Sequence, residues 1–194
     1  MPANPELTAA RDLVYQGVGR NVLQFQRLEL LLKRLLAWHQ STYTAETFEE
    51  DLTKRLEAQD KKTLGLLAGD LFTKVILKAR PVGPADNAPP DLLSIRFGIT
   101  TSEAATHEVW QAQLKALVEE RNQLVHTSLL NWDLDTHEGC QAILTELDAQ
   151  RERIRIGWEN AKRCHEAFIQ VLEQMNEDLT NGNMERFTVQ DTET

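Results

Sequence analysis

The run Glu119-Glu120-Arg121-Asn122-Gln123-Leu124-Val125-His126 gathers a guanidinium, an amide and an imidazole into one short segment. A guanidinium stays charged at any ordinary pH and offers parallel donors that match a carboxylate or a phosphate. An imidazole gives or takes a proton near neutrality. On a wheel of about 100° per residue, Trp110, Leu114, Leu117, Val118, Leu124, Val125 and Leu129 share one arc, with Arg121 at its centre. Asn122 falls on the edge of the arc, and His126, one turn later, just beyond it. A charge among apolar side chains is costly unless acceptors meet it. Two arrangements satisfy that condition. Arg121 can be ion-paired inside the bundle, with Glu29 of the run Leu-Glu-Leu-Leu-Leu as candidate partner, or the stripe can open there onto a polar cleft or a second subunit.

The elements that must position these groups read as helices. Val14, Val18, Phe25, Leu28, Leu32 and Leu35, flanked by Val22 and Leu36, make one apolar side of a long first helix from Leu7 to about His39. Thr47 to Glu50 has capping-box form and starts a second helix reaching about Ala58. Asp60 is the expected N-cap of a third, ending near Ala79 and weakened by Gly65 and Gly69. Residues 80–91 form a Pro-rich surface loop, long enough to serve as a flap. The segment Leu92 to Thr100 is ambiguous between a strand and irregular chain. Thr101 or Ser102 caps a fourth helix expected to last to about Leu130. Asp135, with Glu138 three residues on, starts the fifth.

Cys140, Leu144, Leu147, Ile154, Trp158, Ala161, Phe168, Leu172, Met175 and Leu179 form the stripe of this last helix, with Arg151 and His165 at two of its steps. That stripe corresponds to roughly 60 Å of helix, longer than a small domain is wide, so part of it is expected to pack on a second copy of the chain. The fold expected is an all-α, up-and-down antiparallel bundle of about five helices, the first and last long. It forms a single domain over residues 1–180 with a flexible polar tail at 181–194.

Composition narrows the functions. The 194 residues carry a formal net charge of -9, which disfavours an extended surface for sequence-blind DNA binding. A local pocket for one or two phosphates is compatible with it. Cys140 and Cys164 lie too far apart along one helix to pair, which suits a reducing cytosol. The N-terminus lacks the features of a signal peptide, and no apolar run approaches a span of about 20 residues, so a cytoplasmic protein without a membrane anchor is expected. Neither a Glu-x-x-His pair nor a His-Glu-x-x-His motif occurs, and no metal or cofactor is expected. Gly17 and Gly19 are read as close packing or a kink rather than as a phosphate loop.

Arg121, Asn122 and, after three more residues, His126 resemble the signature of the HEPN family, an arginine followed by a polar residue with a histidine four to six positions after the arginine. The long opening helix around residues 17–36 is also similar to that of HEPN domains, and the resemblance covers roughly residues 7 to 175, apart from the Pro-rich loop. It implies a homodimer whose motif helices meet near the twofold axis, forming one composite cleft that cuts RNA without a metal. It also implies a toxin or defence effector, with an antitoxin or regulatory protein as a further partner. On that view His126 takes the proton from a ribose 2′-hydroxyl, Arg121 stabilises charge on the phosphorus oxygens, and Asn122 orients the imidazole or holds a phosphate oxygen. A noncatalytic HEPN-like bundle that binds nucleotide, RNA or protein would show the same spacing.

Other polar residues carry weaker signals. His165 is read as a hydrogen-bonded core histidine before a member of the site. Arg151, Arg155 and Lys162 share a face that can track RNA phosphates, although Glu159 is placed to pair with Arg155, Lys162 or Arg163. His39, His107 and His137 are expected at the surface.

Overall fold

The computed structural model describes residues 4–43, 48–77, 93–96, 98–100 and 104–181. It is an all-α helical bundle: α1 (Pro5–Trp38), α2 (Phe48–Asp60), α3 (Leu64–Asp70), α4 (Ala104–His126), the short α5 (Ser128–Asn131) and α6 (His137–Thr180). The Pro-rich loop 80–91, the capping residues Thr47, Thr101 and Ser102, and the tail beyond residue 181 lie outside the described residues.

α1 begins as its sequence dictates. Asn4 accepts the Glu6 amide at 3.0 Å, and Pro5 occupies a first-turn position where its missing N–H costs nothing. Its buried residues Ala10, Val14, Gly17, Asn21, Phe25, Leu28, Leu32 and Leu35 recur in steps of three and four. They meet a matching seam on α6: Cys140, Ile143, Leu147, Gln150, Ile154, Gly157, Ala161, Cys164 and Phe168. The two helices run parallel, since Arg11 bonds Asp135, Asn21 bonds Gln150, and Trp38 packs edge-on against Phe168 at 5.3 Å. α4 lies antiparallel to α6, with Glu120 on Arg153, and antiparallel to α3, whose Gly65 faces Val118.

The α6 seam differs by one position from the expected stripe. Ile143, Gln150, Gly157 and Cys164 are buried, Leu144, Trp158 and His165 are half-buried on its flank, and Arg151 is exposed. Close approach explains the choice. A Cβ on Gly157 would stand 2.5 Å from Leu117 Cδ1, so glycine lets α4 and α6 come together there without displacing the Leu117 side chain. Gln150 is held by Asn21, whose Nδ2 donates to Gln150 Oε1 at 3.0 Å and to the Leu147 carbonyl at 2.8 Å. Gly17 packs on Leu147 in the same way, whereas the space beside Gly19 is open.

The third helix is shorter than its composition suggests. Asp60 ends α2 instead of capping α3, and the extended residue Thr63 precedes α3. At Leu71–Val75 the helix widens into a π turn, with the Thr73 hydroxyl bonded to the carbonyls of Gly69 and Asp70. The β-branched Val75 and Ile76 then leave the helix for β2 (Ile76–Leu77), which pairs in parallel with β4 (Ile99–Thr100). β1 (Gln40–Tyr43) pairs antiparallel with β3 (Leu93–Arg96), so the ambiguous segment supplies two short strands.

α4 stops at His126: Thr127, at φ -131° and ψ -30°, leaves the helical dihedrals, its hydroxyl donating to the Gln123 carbonyl at 3.1 Å, before α5 begins. At the start of α6 the cap is Thr136, whose hydroxyl accepts the Gly139 amide at 3.0 Å. Asp135 is drawn away to Arg11 at 2.6 Å. Asp133 accepts the Thr136 hydroxyl and the Asp135 amide, which hold its carboxyl below the ordinary aspartate range. Among the described residues no helix is long and apolar enough to cross a membrane.

Candidate functional site

Arg121, Asn122 and His126 occupy the last turn and a half of α4. Leu114, Leu117 and Leu124 of the same helix are buried in the core, but Arg121 is only half-buried and Val125 is 45% exposed. The cause lies in the neighbouring layer. α3 faces α4 as far as Gly65 against Val118, and Arg121 stands one turn beyond, past the start of α3.

The intramolecular ion pair offered by the sequence is not formed. Glu29 lies 3.2 Å from Lys33, one turn along α1. Glu120, the nearest acid in sequence to which an ion pair is drawn, takes both ends of Arg153 at 2.7 and 3.0 Å and so faces α6. Among the described residues Arg121 has no carboxylate within ion-pair distance; its Nη1 donates to Asn122 Oδ1 at 3.2 Å. Its remaining donors are available to an anion.

Asn122 and His126 are exposed and one turn apart, so they share a face. Arg121 points about 140° from His126 on a regular helix. One chain therefore carries the three groups at one helix end without bringing guanidinium and imidazole to a single point. His126 also ends its helix. The helix end thus carries a guanidinium with free donors on one side and an exposed imidazole on another, with Asn122 bonded to the first and sharing a face with the second.

The remaining candidates separate cleanly. His165 packs against Trp38 at 6.2 Å between ring centroids, and burial, then the nearby Arg34, lowers its affinity for a proton. His107, expected at the surface, is buried: its ring sits edge-on to Phe72 at 5.2 Å with Nε2 3.3 Å from the Ile76 carbonyl. It lies in the first turn of α4, the part that α3 and the π turn cover. His137 is exposed. Both cysteines are free and buried, and burial pushes the Cys164 thiol up to about 11. Among the described residues no group of three or more His, Cys, Asp or Glu side chains is placed to hold a metal ion.

The basic face of α6 is salt-bridged, though not through Glu159. Arg155 takes Glu152 in a two-pronged pair at 2.7 and 2.9 Å, and Lys162 pairs with Glu166 at 3.2 Å. The sequence pattern missed that this face continues onto α1, where Gln24 and Arg27 line a hollow with Ile154, Arg155 and Trp158. Both α1 residues flank core positions Phe25 and Leu28, and nothing in their spacing says which helix they will face. No family model, curated protein or solved structure matches this chain.

Proposed function

We propose that this chain is a metal-independent endoribonuclease of the HEPN type, cytoplasmic and acting as a homodimer, with the role of a toxin or defence effector. The observation that supports this reading is the state of Arg121: half-buried, without a carboxylate partner among the described residues, and bonded to the exposed amide of Asn122, one turn from an exposed His126. A half-buried guanidinium without an acid keeps its donors free for a phosphate.

Two copies of the α4 end, facing across a twofold axis, would place one chain's guanidinium near the other's imidazole, which a single helix does not do. The apolar surface beside the motif, Val125 at 45% and Leu130 at 85% exposed, suits such a contact. One His126 takes the proton of a ribose 2′-hydroxyl, and the 2′-oxygen attacks phosphorus. The 5′-oxygen then leaves with a proton from the second His126, giving a 2′,3′-cyclic phosphate and a 5′-hydroxyl. Arg121 holds the non-bridging oxygens as their charge grows.

The test is direct. Purified protein in EDTA should cut structured RNA and leave cyclic phosphate ends, while His126→Ala folds and does not cut. Intact RNA with both proteins over a broad panel would remove the enzyme reading. It would leave the noncatalytic binding bundle, which the 140° separation on one chain also accommodates.

A further inference from the structure

We infer that the hollow between α1 and α6 binds a nucleotide unit of single-stranded RNA, with its base against Trp158 and Gln24 and its phosphates on Arg27, Arg151 and Arg155. The nature of the strand rests on the ribonuclease reading; the site itself rests on separate observations. Gln24, Arg27, Arg155 and Trp158 line one hollow, and Gln24, Arg151 and Arg155 line a second that adjoins it, together with the carboxylates of Asp148 and Glu152. Gln24 Oε1 is buried and, among the described residues, makes no hydrogen bond. Buried polar atoms are as a rule paired, and a turn of the Gln24 amide would present this unmet acceptor and the neighbouring donor to a base in the hollow that it lines.

Charge points the same way. The chain carries -9 overall, yet Arg27 and Arg151 have no carboxylate at ion-pair distance among the described residues. Arg155 shares its charge with Glu152, and Lys162, paired with Glu166, holds its ammonium 5.6 Å from the centre of the Trp158 ring. Asp148, which lines the second hollow, is taken by Arg20 at 2.7 Å. With Asp148 and Glu152 paired, Arg27 and Arg151 leave the groove an excess of positive charge beside the half-buried Trp158 ring, over which Lys162 sits; single strands use such a pairing, phosphates on cations and bases against an aromatic ring. Arg151 and Trp158 are separated by about 10 Å along the helix axis, which suits consecutive units of a strand better than the one phosphate of a mononucleotide.

Fluorescence anisotropy with labelled oligouridine and oligoadenine of about ten nucleotides tests this, in the His126→Ala background so that the strand is not cut. Arg27→Glu and Trp158→Leu should each weaken binding at least about fivefold, and Arg27→Glu should lower the slope of log K against log salt by about 0.7 for each phosphate that is no longer neutralised. Lys54→Glu, on the exposed face of α2, should bind as the parent does. Arg27 is exposed, so its variant keeps the test valid even if Trp158→Leu unfolds. Parental binding by Arg27→Glu, no binding by the parent, or competition by free UMP as strong as by the strand overturns the inference. If groove variants lose RNA while the native chain never cuts, the ribonuclease reading falls alone. If cutting depends on His126 and groove variants bind normally, this inference falls alone.

Discussion

The Arg121 guanidinium lies 3.2 Å from the side-chain oxygen of Asn122, its neighbour on the exposed end of α4, and among the described residues it meets no acid. Breaking a buried ion pair costs about 3–5 kcal/mol because a charge is stranded. No such partner is stranded here, so Arg121→Ala should change stability by less than about 1 kcal/mol. Thermal melts read that, and RNA cutting by the same variant should be lost. A large drop in melting temperature would show a structural arginine instead.

Two glycines in helices should respond in opposite directions. Gly19 has open space where a Cβ would go, so Gly19→Ala should stabilise by about 0.5–1 kcal/mol through helix propensity. Gly157→Ala gains the same term but drives a methyl against the end of the Leu117 side chain, which is 2% exposed and must shift within the packed core. Overpacking of this kind costs about 1–3 kcal/mol, and a net loss is expected. Calorimetry on the two variants checks the sign of each.

Asn21 and Gln150 form a polar pair inside the apolar seam. Asn21→Ala leaves the Gln150 amide without its partner in a buried site and should cost about 1–3 kcal/mol. The double change Asn21→Leu with Gln150→Leu removes both needs together and should recover most of that loss in urea unfolding.

His165 gives the fold a dependence on pH. Burial first, and the nearby Arg34 second, lower its pKa below the ordinary 6.5, so the unfolded chain takes up a proton there more readily than the folded one. Its contribution is complete above about pH 6.5 and is lost as the pH falls towards the lowered value. Asp70, held below the ordinary 3.8 chiefly by its bond from Lys62, acts only at lower pH, where acid removes that bond. Stability should therefore fall as the pH drops below about 6.5 in the native chain, and His165→Gln should flatten that slope. Equal slopes in both proteins would show that His165 is accessible to protons in the folded state.

The sequence by itself determined that this chain is helical and roughly where each long helix lies. The period of Val14, Phe25, Leu28 and Leu32, or of Cys140, Leu147, Ile154 and Ala161, is a local property that survives in any packing of the helix. It also singled out Arg121, Asn122 and His126, because a fixed charge on an apolar arc stands out without knowledge of the neighbours. Only the tertiary structure decided which flank of α6 becomes the seam. Gly157 and Gln150 prevail over Trp158 and Arg151 because Leu117 and Asn21 occupy the opposing positions. It alone buried His107 and left Arg121 half in solvent, since α3 begins opposite Val118 and reaches back over the start of α4 but not to its end. Depth depends on what another element covers, and that is set by contacts remote in the chain.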